Sequence, residues 1–296
     1  MQKLKAIFTI IRFPNLVFIF LSQIIIYFKV IVPLAILAQL HTIITNSDIF
    51  ILALSTTLIA AGGYIINDYF DVKIDEINKP SRVTVELQFK RRHIMFAHII
   101  LDIIAVLITI PLALKAGHIS LIGIPLISIL MLVLYSAYFK RKPLSGNLIV
   151  AALTALTVYT PALYEFNIFH RVSMESITII AIYAFCLTLM REIVKDLEDL
   201  KGDEADGCRT FPIVFGINHS KNLLYLLATL FFIFNSYIIS FLHYFYQAFF
   251  VGLLNIAMIM FVYYLWKANK HIQLKFLSRL LKIITFYGVI LLIFYQ

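Results

Sequence analysis

The feature that most constrains this chain is a series of long apolar runs, each close to the length that an α-helix needs to cross a bilayer. About 20 apolar residues are enough for one crossing. Hydrophobic residues make up 61% of the 296 positions and charged residues 14%, whereas a soluble domain is about half apolar and a quarter charged. The runs are continuous rather than alternating, which favours helices over the strands of a transmembrane barrel. They lie at 16–39, 47–66, 94–114, 119–139, 146–166, 173–190, 222–242, 246–266 and 276–295.

These runs predict an all-α, polytopic membrane protein with about nine transmembrane helices and a single domain over residues 1–296. The ninth run is the least regular, because Arg279 and Lys282 shorten its apolar part. The basic start of the chain and the length of the first run argue against a cleaved signal peptide. The two cysteines, Cys186 and Cys208, provide neither a disulfide framework nor a metal-thiolate site.

The basic residues predict the orientation of the helices. Of the 25 Lys and Arg residues, 22 lie in the N-terminal segment and in every second loop, whereas the other loops contain only Lys115 and Arg171. By the positive-inside rule, the N-terminus and the basic loops are cytoplasmic, and nine crossings place the C-terminus outside. We therefore expect a multi-pass protein of the cell (inner) membrane. The formal net charge of +9 is explained by topology and gives no reason to expect nucleic-acid binding.

Acidic residues are concentrated in two of the basic loops. Twelve of the 16 Asp and Glu residues follow the second and the sixth run. The spacing D-x-x-D-x-x-x-D occurs at Asp68–Asp75 and again, 128 residues later, at Asp196–Asp203. An arginine, Arg82 or Arg209, follows each copy. Four runs separate the two copies, so both are predicted to lie on the cytoplasmic side.

This repeated spacing indicates a site for divalent cations and phosphate groups. On a helix, positions i, i+3 and i+7 share one face, and carboxylates so close together repel unless a cation offsets their charge. Mg²⁺ is commonly bound by one or two carboxylates together with substrate phosphates. Two facing acidic clusters would hold Mg²⁺ ions that bridge a diphosphate, and neighbouring cations would bind its oxygens directly. The candidate ligands are Asp68, Asp71, Asp75, Asp196, Asp199 and Asp203, and the candidate cations are Arg82, Lys140, Lys142, Arg191, Lys195 and Arg209.

The pattern resembles the UbiA-type intramembrane prenyltransferases, whose two aspartate-rich signatures are similar to Asn67–Asp75 and Asp196–Asp203. Within that family, the sequence is most similar to the branch that alkylates geranylgeranylglyceryl phosphate. The other stretches that carry the resemblance are Arg12–Asn15, Ile66–Asp71, Asn78–Arg82, Lys140–Arg141, Gly146–Asn147, Arg191–Asp196 and Arg209–Gly216.

The resemblance implies a bundle of nine helices around a central cavity, capped by the two cytoplasmic segments. It also implies Mg²⁺ as cofactor, with Asn67 added to the metal ligands and Asn67, Asp71 and Asp199 as catalytic residues, and it makes Arg12 and Asn15 substrate-binding candidates. Metal and cation charge would stabilise the leaving diphosphate of a polyprenyl donor as its allylic C–O bond breaks. The tail would occupy the apolar cavity, and a lipophilic acceptor would trap the allylic cation near aromatic faces. The candidate faces are Tyr64, Tyr69, Tyr135, Tyr138 and Tyr159.

Several alternatives remain open at this point. The segment Val83–Leu87 contains neither the proline nor the glycine usual in that branch, so an aromatic acceptor, a naphthoate or benzoate quinone precursor, is the second prediction. A cation-coupled transporter is a third, although transporters commonly show inverted repeats and the two acidic motifs are direct repeats. Lys29 and Asp102 lie within apolar runs, where ionisable residues are functional candidates. Beyond the donor, the acceptor and the bilayer, no obligate protein partner is expected.

Overall fold

A computed structural model describes residues 2–78, 91–165, 168, 174–242 and 244–294. This part of the chain is helical and contains no strand, which confirms the predicted all-α class. The helices are α1 Gln2–Ile10, α2 Phe13–Leu37, α3 Asn46–Asn78, α4 Arg91–Lys115, α5 Gly123–Ala137, α6 Ser145–Leu163, α7 Glu175–Glu198, α8 Leu200–Ala205, α9 Phe211–Phe215, α10 Ile217–Ser240, α11 Phe245–Lys267 and α12 His271–Leu291.

Eight helices of the described chain, namely α2 to α7, α10 and α11, are long and apolar enough to cross a membrane, α5 together with the 3₁₀ turn Ile119–Ile122 that precedes it. Large apolar side chains such as Leu37 and Phe245 are more than 80% exposed, as expected for a surface covered by lipid. These features make the chain a multi-pass membrane protein. The ninth predicted run corresponds to α12, whose charged residues leave it outside this set, so nine crossings stay a prediction.

The two acidic motifs differ in backbone structure. Helix α3 continues for 33 residues, so Asn67, Asp68 and Asp71 lie on one continuous helix. In the second motif, α7 ends at Glu198, and Asp199 forms the junction with α8. The N–H groups of Gly202 and Asp203 both donate to the carbonyl of Asp199 at 3.1 Å, which stabilises this break. The expectation of one continuous helical face is therefore wrong for the second motif.

The helices pack into two neighbouring groups joined by α2. Helix α3 packs against α2, α4 and α5, while α7 packs against α6, α10 and α12. Helix α2 also contacts α6 and α12, so the first and the last long helix meet. Helix α2 is irregular at Tyr27–Ile31, which forms a π-helical segment. The arrangement leaves a cavity between the groups and brings the ends of α3 and α7 to the same side.

Hydrogen bonds to a buried carboxylate close the opposite side of the bundle. Glu165, just after α6, accepts the N–H groups of Ile43 at 2.7 Å and Ile44 at 3.0 Å in the loop after α2. The hydroxyl of Tyr27 donates to the carbonyl of Ile44 at 2.7 Å. Burial raises the pKa of Glu165. These bonds satisfy backbone donors that would otherwise be buried without a partner.

A close backbone approach fixes the connection between α5 and α6. The 3₁₀ turn Phe139–Arg141 lies against Gly146, near the start of α6. A Cβ atom at this glycine would lie 2.9 Å from the Cα of Lys140 and 3.0 Å from the carbonyl oxygen of Phe139. Both contacts involve backbone atoms, which a rotamer change cannot move. Only glycine fits here without displacing the turn.

We therefore expect Gly146→Ala to lower the free energy of unfolding by about 1–3 kcal/mol, the usual effect of overpacking. Thermal or denaturant unfolding of the purified protein in detergent measures it. Gly252→Ala is the matched control, because a Cβ on this helical glycine meets nothing within 4 Å. The control should be neutral or slightly stabilising, since alanine favours helix over glycine. Equal stability of the two variants would contradict the packing at Gly146.

Candidate active site

A cavity of about 1200 Å³ lies between the two groups of helices. Ligand pockets are usually about 300–1000 Å³, so this cavity has room for a long lipid chain. Side chains from both acidic motifs form its polar end, and apolar side chains line most of the remainder, including Ile19, Leu132 and Leu187. The predicted site residues that line it are Arg12, Asn15, Asn67, Asp71, Lys140, Arg191, Lys195, Asp196, Asp199 and Asp203.

Five predicted site residues are not among the lining residues described. Asp68 is buried and pairs with Arg12. Lys142 bonds the hydroxyl of Tyr138 outside the cavity, and the side chain of Arg209 is exposed. The structure thus does not bring these three to the cavity wall. The side chain of Asp75 and all of Arg82 lie outside the described residues, as does the Val83–Leu87 segment.

The first motif is held by a lysine from another part of the chain. The ammonium of Lys140 forms an ion pair with Asp71, and it also donates to the amide oxygen of Asn67 at 3.3 Å. The amide of Asn67 donates to Asp71 at 2.6 Å. Burial alone would lower the pKa of Lys140, but the charge of Asp71 raises it above its ordinary value. Lys140 therefore stays protonated and neutralises Asp71.

The residue after Lys140 contacts the second acidic segment. The guanidinium of Arg141 pairs with Asp206 at 2.7 Å, and the N–H of Arg209 donates to the carbonyl of Arg141 at 2.8 Å. One short turn thus joins both acidic segments. Its position depends on the close approach of Gly146 described above.

The second motif is anchored to α6 and carries its own ion-paired group. The amide of Asn147 donates to Asp196 at 2.9 Å. One helical turn earlier, Glu192 pairs with Lys195 at 2.9 Å and with Arg191 at 3.2 Å. Glu192 also lines the cavity. It is not among the site residues predicted from the sequence. The carboxylates of this motif therefore lie beside two cations that Glu192 partly neutralises.

The start of α2 brings a further arginine into the cavity. Arg12 adopts a left-handed backbone conformation with φ 51°, uncommon for a residue other than glycine. Its guanidinium donates to Asp68 at 3.1 Å and lies 4.6 Å from the centre of the Tyr64 ring. Burial alone would lower the pKa of Arg12, but the charges of Asp68 and its neighbours raise it. Strained backbone of this kind is concentrated at functional sites.

Lys282 is a cavity residue whose role sequence reasoning missed. It lines the cavity from α12 and donates to the side-chain oxygen of Asn15 at 2.6 Å. The available signal was a charged residue inside an apolar run, the same signal that singled out Lys29 and Asp102. Neither of those two lines the cavity, and Asp102 instead contacts His98 at 3.2 Å.

The candidate aromatic faces divide into two groups. Tyr64 and Tyr135 line the cavity near its polar end. Tyr159, Tyr69 and Tyr138 are not among the lining residues, and their rings or hydroxyls contact neighbouring side chains instead. Two π faces are therefore available beside the carboxylates.

The donor chemistry of the polar end fits Mg²⁺, although the carboxylates are not gathered around one point. The described residues contain no group of three Asp, Glu, His or Cys side chains close enough to hold a metal. Their oxygen donors nevertheless line one cavity from two sides, and carboxylate and amide oxygens are ligands that Mg²⁺ accepts. Asp71, paired with Lys140, would exchange this partner for the metal.

Comparison with known proteins found relatives that match more than half of this chain. A digeranylgeranylglyceryl phosphate synthase of Saccharolobus solfataricus is 37% identical over 182 residues, covering 62% of each chain. One of Hyperthermus butylicus is 33% identical and covers 73% of this chain and 70% of its own. The match thus spans about three-fifths of the length of the first relative and more of the second.

Solved structures share the fold over nearly the whole chain. A structure of digeranylgeranylglyceryl phosphate synthase has a TM-score of 0.70 and 25% identity, covering 100% of this chain and 99% of the other. A UbiA homologue from Archaeoglobus fulgidus, bound to GPP and Mg²⁺, has a TM-score of 0.64 and 15% identity, covering 97% and 99%. The UbiA prenyltransferase family itself matches residues 28–286. Because the family model matches most of the length of this chain, the chain belongs to the UbiA prenyltransferase family.

Proposed function

We propose that this protein is a membrane enzyme that transfers a polyprenyl group, geranylgeranyl, from its diphosphate to geranylgeranylglyceryl phosphate. The observation that carries this proposal is the cavity, which combines two acidic motifs at one end with a large apolar interior. The acidic end suits a diphosphate bound through metal, and the interior suits isoprenoid tails. In this proposal residues 1–296 form one membrane prenyltransferase domain.

Mg²⁺ is the proposed cofactor, held by Asn67 and the aspartates of both motifs. When bound, it neutralises the diphosphate and makes it a better leaving group. Arg12, Lys140, Arg191 and Lys195 line the cavity beside these ligands and would contact the anionic oxygens of the two substrates directly. The proposed metal ligands that line the cavity are Asn67, Asp71, Asp196, Asp199 and Asp203. Of the other two predicted ligands, Asp68 pairs with Arg12 beside the cavity, and the side chain of Asp75 lies outside the described residues.

The proposed reaction forms an ether. The bond between the allylic carbon and the diphosphate oxygen breaks, and the electron pair leaves with the diphosphate. The hydroxyl oxygen of the acceptor then bonds to that carbon and loses its proton, so the products are the ether, diphosphate and a proton. The rings of Tyr64 and Tyr135 offer π faces to the allylic cation. The apolar walls keep water away from this cation.

The names of the relatives support a glyceryl phosphate acceptor over an aromatic one. The two relatives described above are both digeranylgeranylglyceryl phosphate synthases. The cavity also contains a cluster of cations suited to a phosphate group, a point developed in the next subsection.

A transfer assay in detergent, with labelled geranylgeranyl diphosphate and Mg²⁺, tests this function. Geranylgeranylglyceryl phosphate and dihydroxynaphthoate are offered in parallel as acceptors. We expect label in the product of the glyceryl phosphate, and no labelled product after chelation of the metal. Asp71→Asn and Asp199→Asn should each lower the rate by about 100-fold or more, because each removes a metal ligand.

Glu204→Gln is the control for these variants, since Glu204 belongs to the same acidic segment but is exposed and does not line the cavity. It should keep the wild-type rate. Transfer to dihydroxynaphthoate alone would replace the acceptor and keep the reaction type. Transfer that persists without metal and in both aspartate variants would overturn the proposed site.

The polar end of the cavity faces the cytoplasm in our proposal, with the N-terminus inside and the C-terminus outside. The support is the concentration of Lys and Arg in the loops on that side. A donor and an acceptor with phosphate groups would then reach the site from the cytoplasm.

Labelling of intact cells with a membrane-impermeant maleimide tests this orientation. In intact cells the cytoplasmic Cys208 should not label. After permeabilisation it should label little at pH 7.5 and faster as the pH rises, because thiolates are the reactive form and burial raises the pKa of Cys208 to about 11. Ser120→Cys, in the loop on the other side, should label in intact cells. Lys201→Cys should label only after permeabilisation. The reverse pattern would invert the proposed topology.

A further inference from the structure

Helix α12 presents a polar face to the cavity. Ser278, Lys282 and Thr285 all line the cavity and occupy positions i, i+4 and i+7 of one helical face. This face helps to explain why the ninth run is less apolar than the others. An ionisable residue on a membrane helix is a functional candidate, so its partners decide what it does.

The ammonium of Lys282 has no acidic partner among the described residues. It donates to the amide oxygen of Asn15 at 2.6 Å, and the amide nitrogen of Asn15 donates to the hydroxyl of Tyr64 at 3.3 Å. The charged group of Arg191 lies close enough to act on it electrostatically. Lys282 is therefore held between a neutral amide and a like charge, an arrangement that favours an anion.

Four cations form a basic cluster at this part of the cavity, and the two carboxylates that pair with them in the described chain, Asp68 and Glu192, offset only half of their charge. Arg12 pairs with Asp68, and Arg191 and Lys195 both pair with Glu192. Lys282 has no ion pair within the described chain. The surplus is about two positive charges, and a phosphate monoester carries about −1.5 to −2 at neutral pH. The members of the basic cluster are Arg12, Arg191, Lys195 and Lys282.

The basic cluster also holds unused hydrogen-bond donors. The Nε atoms of Arg12 and Arg191 are buried, and neither has a hydrogen-bond partner. Buried donors of this kind are rare, and each calls for an explanation. Bonds to phosphate oxygens would satisfy them, since guanidinium groups bind phosphate in a fixed fork geometry.

We propose that Lys282, together with Arg191 and Asn15, binds the phosphate group of the acceptor. This inference rests on the proposed function and adds a second anion subsite to it. The diphosphate of the donor belongs with the aspartates, because their carboxylates suit a divalent metal ion that would carry the diphosphate. The acceptor phosphate belongs with the basic cluster, which attracts an anion without any metal.

The test compares acceptors with and without the phosphate. We expect Lys282→Met to raise the KM for geranylgeranylglyceryl phosphate about tenfold or more, because it removes one charge-assisted contact, and to leave the donor KM within twofold. With geranylgeranylglycerol, which lacks the phosphate, wild type and Lys282→Met should have the same KM. Lys282→Arg should restore most of the affinity for the phosphorylated acceptor.

Lys275→Met is the matched control, since Lys275 lies two turns earlier on α12 and is exposed like Lys282, but it does not line the cavity. It should behave as wild type. Three results in Lys282→Met would each overturn the subsite. The KM for the phosphorylated acceptor could be unchanged, the KM could rise equally for both acceptors, or the KM of the donor could rise instead.

Equilibrium binding separates failure of this subsite from failure of the proposed function. If wild type transfers no label to either glyceryl acceptor, the proposed function fails, yet binding of geranylgeranylglyceryl phosphate can still be measured by calorimetry. Metal-independent binding that Lys282→Met weakens and Lys275→Met preserves would support the subsite. Binding that is absent in wild type or equal in the two variants would overturn it.

Discussion

The ion pairs made by Lys140 and Arg141 are the interactions on which the rest of the site depends. Lys140 pairs with Asp71 on α3, and the next residue, Arg141, pairs with Asp206 in the segment after α7. The two acidic segments would repel each other if they were brought together without these cations. A single short turn thus fixes their separation, and Gly146 allows this turn to lie against α6.

The polar end of the cavity therefore has two electrostatically different regions. The first contains Asp71, Asp196 and the residues around Asp199, where carboxylates outnumber cations among the described residues that line the cavity, and where a divalent metal would attract phosphate. The second, the basic cluster, has the opposite balance. Because acidic and basic regions share one cavity, a metal-bound diphosphate and a free phosphate group would be held apart but close to the same apolar interior.

Much of this arrangement could be predicted from local sequence patterns. Membrane helices follow from long apolar runs, and the orientation hypothesis follows from the distribution of Lys and Arg. The repeated aspartate spacing correctly indicated that Asp71 and Asp196 meet at one cavity. Each of these inferences depends on residues close together in the chain, where periodicity and length carry the information.

Side-chain direction and tertiary pairing could not be predicted in the same way. Lys142 is two residues from Lys140, but the 3₁₀ turn ends between them, and its ammonium points to Tyr138 instead. Asp68 belongs to the motif, yet it pairs with Arg12 from a distant helix. The helix break at Asp199 and the contact between Lys282 and Asn15 also depend on packing between elements far apart in sequence.

The most direct test of the account is a double-mutant cycle on Lys140 and Asp71, measured as the free energy of unfolding in detergent without Mg²⁺. Removing one partner of a buried ion pair leaves an uncompensated charge and typically costs about 3–5 kcal/mol. Lys140→Met and Asp71→Asn should therefore couple by about 2 kcal/mol or more, and the double variant should be more stable than the sum of the single effects predicts. Additive effects within about 0.5 kcal/mol would contradict the claim that this ion pair holds the two acidic segments in place.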